Sequence, residues 1–364
     1  MRTQGKSSSR VFFLIVLSLI VGGFFIFASA SLGKLDNEVS VFAKLTSKQL
    51  AALVIGFIAM IGAASVPYKK WRTYALPILI LTALGTLLVF VPGLGITSGG
   101  AKRWIDVGFF SLQPAEFLKL GLVFYFAAWI ASVKDKIKTT KWGLLPLCIL
   151  LGIAGAILIA QPDVGTFLVM AAALVTMYFV GGASYKDIMI LILIGAIGAG
   201  GLAAYKPYIR ERVMTYINRS EDVQGASYQV NRSLIAIGSG GMFGRGFGQS
   251  LQKFHALPQP VGDSIFAVAS EEFGFVGATL IIGLFLLFGL WGLKIAANAP
   301  DTFSRLLVVG IVILIMSQSF MNIAAMLGLI PLTGDPLIFI SQGGSSLLFA
   351  LIGCGIILNV SRYA

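Results

Sequence analysis

The sequence predicts an all-α integral membrane protein of ten transmembrane helices, with a long extracytoplasmic loop between the seventh and the eighth. Three observations lead there. Of 364 residues, 57% are apolar and 12% charged, where soluble domains carry about 25% charge. Apolar windows of about 20 residues, the length that crosses a hydrocarbon core of about 30 Å, recur along the whole chain. Neither end carries a long polar block, so residues 1–364 read as a single polytopic membrane domain.

The spans fall near 11–31, 48–66, 73–91, 114–133, 143–160, 163–180, 187–205, 265–295, 303–328 and 342–361. The first follows Arg2, Lys6 and Arg10 and ends in "ASAS", as a cleaved signal peptide does, but its apolar core is long for one, so it reads as a retained span. An even number of spans puts both termini on one side. The loops on that side hold Lys69, Lys70 and Arg72, then Lys134, Lys136, Lys138 and Lys141, then Lys186, Lys294 and Arg305. Positive charge in short loops marks the cytoplasm.

The opposite face receives the loops 31–47, 92–113, 206–264 and 329–341 and the tight "QPD" turn at 161–163. Residues 206–264 carry Lys206, Arg210, Arg212, Arg219, Arg232, Arg245 and Lys253. A loop of about sixty residues is governed only weakly by the charge rule, so these cations point instead to an anionic ligand. The formal charge of +12 is scattered through short loops rather than gathered with aromatics on a soluble face, which argues against nucleic acid. Cys148 and Cys354 lie in apolar windows with no nearby Cys or His, which favours packing over a disulfide or a zinc site. The residues name no cofactor and no metal-ligand set; a divalent cation stays open.

Four outward stretches are unlike ordinary connectors. In "GGAKRWIDVGFFSLQPAEFLKL" (99–120) Lys102, Arg103 and Trp104 form an amphipathic combination suited to the headgroup level. Pro114 suits the first turn of a helix, on which Gln113, Glu116 and Lys119 share a face. A lysine at bilayer depth costs about 2.5–3.5 kcal/mol and faces a partner or a wet cavity, so Glu116 and Lys119 form either a structural ion pair or part of a substrate cavity or proton path. In "AQPDVG" (160–165) Asp163 is placed to cap the following helix. In "YQVNRSLIAIGSGGMFGRGFGQSLQKFHALPQP" (228–260) residues 228–237 read as an interfacial helix, followed by glycines that permit a tight backbone path. In "GLIPLTGDPLIFISQGGSSLL" (328–348) two prolines hold an extended segment, and "GGSS" opens the last span either to cradle an anion or to pack closely.

"GGAKRWI" with "LQPAEFLKL", "QPDVGT", "AIGSGGMFGRGFGQSLQKF", "LPQPVGDSIFAVASEEFGF" and "GLIPLTGDPLIFISQGGSSLL" resemble, in that order, the motifs of the SEDS family (shape, elongation, division and sporulation), from about residue 10 to 362. The resemblance implies a ten-span glycosyltransferase that polymerises lipid II into peptidoglycan glycan strands. "KRWID" and "GQSLQKFHALPQP" are closer to the division branch than to the elongation branch, which implies a role at the septum. Two departures stand out: Gly262, Asp263 and Ser264 replace a Thr-Asp-Phe core, and Gln342 stands where Tyr is common.

Both lines converge on an anionic polyprenyl diphosphate substrate at the outer membrane face. Asp263 is the expected catalytic base, held at headgroup height just outside the eighth span, though an Asp there also suits a helix cap. Arg103, Lys119, Arg210, Arg245 and Lys253 are the expected diphosphate contacts, with Trp104 and Glu116 completing the binding set. Glu271 and Glu272 lie about two turns deeper, placed to pair with cations or orient loop groups. No Ser-x-x-Lys with its companion motifs is present for crosslinking. The resemblance therefore implies a single-span class B penicillin-binding transpeptidase as partner, alongside other division-complex membrane proteins. A precursor flippase or transporter and a non-enzymatic division scaffold remain as functions of other classes.

Overall fold

A computed structural model describes residues 2–34, 39–98, 101–106, 108, 111–217 and 227–363; Arg219 lies outside the described residues. Helices α1 (Arg2–Ser31), α2 (Val39–Ser65), α3 (Tyr68–Thr73) and α4 (Ala75–Leu87) precede a small antiparallel sheet, β1 (Gly95–Ser98), β2 (Ala101–Asp106) and β3 (Ser111–Leu112). Then come α5 (Pro114–Val133), α6 (Leu144–Ala160), α7 (Val164–Val180), α8 (Tyr185–Tyr205), α9 (Pro207–Ile217), α10 (Tyr228–Ser239), α11 (Gln252–His255), α12 (Ile265–Ala297), α13 (Thr302–Met326) and α14 (Gly344–Ser361).

Among the described residues, seven helices are long and apolar enough to cross a membrane, and Ala75–Phe90, Leu144–Ala160 and Val164–Val180 are shorter apolar helices. Together these ten coincide with the ten expected spans. One small sheet is added to the otherwise helical fold: "KRWID" is a strand, with Trp104 opposite Ile96 and Ile105 opposite Leu112. Pairing satisfies backbone groups that a loop at the membrane boundary would leave open.

The shortness of α6 and α7 positions the site. Seventeen residues each rise only about 26 Å, less than a hydrocarbon core of about 30 Å, and the turn that joins them is buried in the protein. Gln161 and Asp163 in that turn are each 1% exposed, and Gln161 donates to the Thr86 carbonyl at 2.8 Å. The core sits around α13 and α14. α13 packs on α5, α7 and α12, while α14 packs on α2, α1 and α5. Asp301 and Ser304 close a reciprocal cap at the start of α13, which satisfies two of its free amides.

α12 is broken at Gly274, whose φ of 65° favours glycine. The break frees the carbonyls of Glu271 and Glu272, which accept from the N–H groups of Arg245 and Gly246, each at 3.0 Å. Below it, the Phe275 and Val276 amides donate to Gly241 and Met242 at 2.8 and 3.1 Å. Gly274 lies ten residues into α12, about 15 Å along its axis. The glycine run after α10 therefore dips beside α12 and supplies the bonds the kink removed, as irregular backbone at that depth requires.

Candidate active site

Asp263 lies in the turn that enters α12, and three hydrogen bonds fix its segment. Asn322 Nδ2 donates to the Asp263 carbonyl at 2.8 Å, Ser341 Oγ to that of Gly262 at 2.7 Å, and the Gln342 amide to that of Val261 at 2.8 Å. Ser264, not Asp263, takes the cap position of α12, and its side chain makes no cap bond there. Gln229 of α10 donates to Ser264 Oγ at 3.0 Å. Asp263 Oδ1 is buried with no hydrogen-bond partner. Burial pushes the carboxyl above the usual range, offset in part by Gln229, the local backbone amides and the Arg212 guanidinium.

Two cavities meet at this carboxylate. The first, about 520 Å³, is lined by Arg103, Tyr208, Glu211, Arg212, Gln229 and Asp263, among others. The second, about 470 Å³, is lined by Lys48, Trp104, Gln259, Asp263, Gln342 and Gly343, among others. Asp263 and Gly334 belong to both walls. Arg103 and Trp104 are adjacent on β2, and successive strand side chains point to opposite faces; each therefore serves a different cavity.

Beneath the cavities lies a buried polar cluster. Arg103 donates to the carbonyls of Gln161 and Pro162 and stands 3.6 Å from Asp163. Asp163 begins α7 but makes no side-chain cap bond there; its carboxylate accepts from Gln113 at 3.0 Å. Lys119 Nζ is 2.7 Å from Glu116 and donates to Gln318 Oε1 at 2.5 Å. Asp335 is 6% exposed, and burial, reinforced by the Asp163 charge, pushes its carboxyl up to about 7. Among the described residues, no three His, Cys, Asp or Glu side chains gather as a metal site.

The structure thus brings Arg103, Trp104 and Asp263 together and separates the other expected contacts. Glu116 and Lys119 are 2% and 1% exposed and pair below the cavities, outside both linings. Lys253 is corrected from a phosphate contact to a clamp: its ammonium donates to Glu272, the Gly248 carbonyl and Ser29 at 2.6, 2.9 and 3.1 Å. A lysine ammonium has three donors, and all are used. Arg245 lies 3.4 Å from Glu271 rather than on either cavity wall. Glu271 also accepts from Ser250 Oγ at 2.5 Å and the Leu251 amide at 3.1 Å. Arg210 is exposed and outside both linings.

The profile of the family described as FTSW_RODA_SPOVE, cell cycle protein, matches residues 9–364. The chain belongs to that family. A FtsW/RodA/SpoVE relative, stage V sporulation protein E of Bacillus subtilis (strain 168), is 40% identical over 365 residues, covering 100% of each chain. A probable peptidoglycan glycosyltransferase FtsW of Geobacter sp. (strain M18) is 36% identical, covering 99% of this chain and 98% of that one. Among solved structures, RodA of Thermus thermophilus superposes with a TM-score of 0.71 at 25% identity, covering 96% and 95%. A chain of a peptidoglycan synthase complex, described as coordinating polymerization and crosslinking, reaches 0.79 at 27% identity and covers 96% of each.

Within this FtsW/RodA/SpoVE fold, sequence reading passed over Arg212 and Tyr208 as site residues. Their signal was present: Tyr208, Glu211, Arg212 and Thr215 stand at i, i+3, i+4 and i+7, one face of a helix, and all four line the first cavity. Arg210 lies two residues from both Tyr208 and Arg212, about 200° around α9, and so points away. Arg212 also donates to the Thr333 carbonyl at 3.1 Å, and Tyr216 to that of Leu329 at 2.8 Å, which seats α9 over the cavity.

Proposed function

We propose that this chain is a peptidoglycan glycosyltransferase that polymerises lipid II at the outer face of the cytoplasmic membrane. The observation that carries the reading is one half-buried carboxylate, with Oδ1 buried and unpaired, shared by two cavities of different chemistry. Polymerisation needs two substrates at one reacting centre: a sugar hydroxyl loses its proton and attacks the anomeric carbon of a second, lipid-linked sugar, whose diphosphate leaves. Asp263 takes the hydroxyl proton, and its raised pKa makes it a stronger base than an ordinary aspartate. Arg103 and Arg212 stand in the first cavity, where fixed cations stabilise the charge that grows on the departing diphosphate. The second cavity, lined by Trp104, Gln259, Gln342 and Lys48, receives the acceptor sugar.

The septum is the proposed workplace, both termini are assigned to the cytoplasm, and a class B penicillin-binding transpeptidase is the proposed partner, together with other division-complex membrane proteins. The similarity to a chain of a complex that couples polymerization to crosslinking supports the partnership. Depletion in the native host separates the branches: filaments mean division, spheres mean loss of elongation.

Purified protein in liposomes with lipid II is expected to yield polymer that a muramidase degrades; lipid translocation without polymer would favour a flippase instead. A pH profile adds a second check. Arg212 is among the groups that hold the Asp263 carboxyl down, so Arg212→Gln lets it rise. The acid limb of the polymerisation rate then moves to higher pH, because the base is ionised only above its own pKa. A limb that stays in place or moves down contradicts the assignment of that limb to Asp263.

A further inference from the structure

Asn322 and Gln318 stand one turn apart on α13, each 1% exposed, and between them they contact Asp263, Asp335, Pro336 and Lys119. The two N–H groups of Asn322 are divided: one goes to the Asp263 carbonyl and one to the Asp335 carbonyl, both at 2.8 Å. Both partners are acceptors, so only the NH₂ end of the amide fits there, and its orientation is fixed by chemistry. Its oxygen, Oδ1, is buried without a partner, a cost that marks the two donor bonds as the reason for the residue. One turn below, Gln318 Nε2 donates to the Pro336 carbonyl at 3.3 Å, and its Oε1 accepts from Lys119 Nζ at 2.5 Å. Lys119 in turn pairs with Glu116 at 2.7 Å and lies 4.6 Å from the Phe349 ring centroid.

We propose that Gln318 and Asn322 form a positioning ladder that ties the buried Glu116–Lys119 pair to the main chain at Asp263 and at 335–336, and so sets where the catalytic carboxyl stands between the two cavities. The proposal rests on the reading of Asp263 as the base. Neither amide lines either cavity, so both act through the main chain and not on substrate. The segments they join carry the wall common to both cavities, Asp263 on one side and Gly334 on the other. A helix is the stiffest part from which to hold two loops in register, and side chains at i and i+4 lie on the same face. The ladder gives the Glu116–Lys119 pair a task its distance from the cavities would otherwise leave unexplained: its ammonium anchors Gln318, the lower rung. A carboxyl placed about 1 Å from its productive position loses about 10²-fold in rate, so a main-chain tether of this kind is felt in turnover before it is felt in binding.

The test replaces Asn322 by leucine, which matches its shape and removes both donors. Asn322→Leu is expected to lower kcat for lipid II polymerisation by about 10²-fold while KM and lipid II binding stay near those of the parent. Its acid limb is expected to move to lower pH, because a loosened turn admits water to the Asp263 carboxyl and relieves the burial that raises it. Gln318→Leu, one step further from Asp263, is expected to move both readouts the same way by less and keeps the test alive if Asn322→Leu fails to fold. Asn322→Gln, which keeps the NH₂ group, is expected to restore part of the rate. Parent-like kcat in both leucine variants, or a loss of lipid II binding with an unmoved acid limb, overturns the ladder. If Asp263→Asn polymerises normally, the reading beneath the proposal fails; if that variant is inactive while both leucine variants are normal, only the ladder fails.

Discussion

Asp263→Asn is expected to fold, reach the membrane and bind lipid II, yet polymerise it about 10²- to 10⁴-fold more slowly, the usual effect of removing a general base. Asparagine keeps the size of the side chain and one acceptor oxygen but cannot take a proton. The surroundings make the substitution clean. The segment is held by its carbonyls, through Asn322 and Ser341, and by the amide of Gln342, none of which the variant alters. Ser264 rather than Asp263 begins α12, so no cap is lost. Burying a neutral amide in place of a carboxyl that burial already disfavours in its charged form imposes no new desolvation. Polymer formation is measured on gels beside lipid II binding and a thermal melt in detergent. Near-normal polymer from a well-folded variant would remove Asp263 from the chemistry.

Lys253→Met should be the most destabilising of the single changes considered. Methionine preserves most of the stem and removes the ammonium, leaving Glu272, 1% exposed, as a buried charge whose remaining side-chain partner among the described residues is the Ser29 hydroxyl at 2.6 Å. Breaking one half of a buried pair costs about 3–5 kcal/mol, whereas replacing both halves is far milder. The double variant Lys253→Met with Glu272→Gln should therefore melt above Lys253→Met alone. The clamp joins α1, α11 and α12, so its loss loosens the strand of chain that leads into Asp263. A Lys253→Met protein that melts like the parent would show that the ammonium carries no such duty.

Some of this was legible without coordinates because the bilayer imposes it. A backbone in hydrocarbon must satisfy its own hydrogen bonds, so spans are helices of nearly fixed length, and the ten apolar windows announced them. Asp263 was legible for a related reason: a carboxylate beside the start of a span is too costly to be incidental. The strand at "KRWID" was missed because alternation over six residues also fits an interfacial segment. The Glu116–Lys119 pair was left open because a shared helical face says that two groups meet, not which way the pair points.

The sequence by itself determined the membrane class, the ten apolar helices and the polar stretches between them, with a carboxylate just before α12, all of them set by composition over windows of a few to about 20 residues. The tertiary structure alone decided which cations face the cavities. Arg103 and Arg212 reach them, whereas Lys253 and Arg245 turn to Glu272 and Glu271; helical spacing groups Arg212 with Tyr208, Glu211 and Thr215, but no spacing names the carboxylates that draw Lys253 and Arg245 away. The partners that hold Lys253 lie outside any short window: it meets Glu272 across 19 positions and Ser29 across 224. A side chain's direction is settled by whichever buried group it must neutralise or bond, and that group is chosen by packing between helices, which no window of sequence contains.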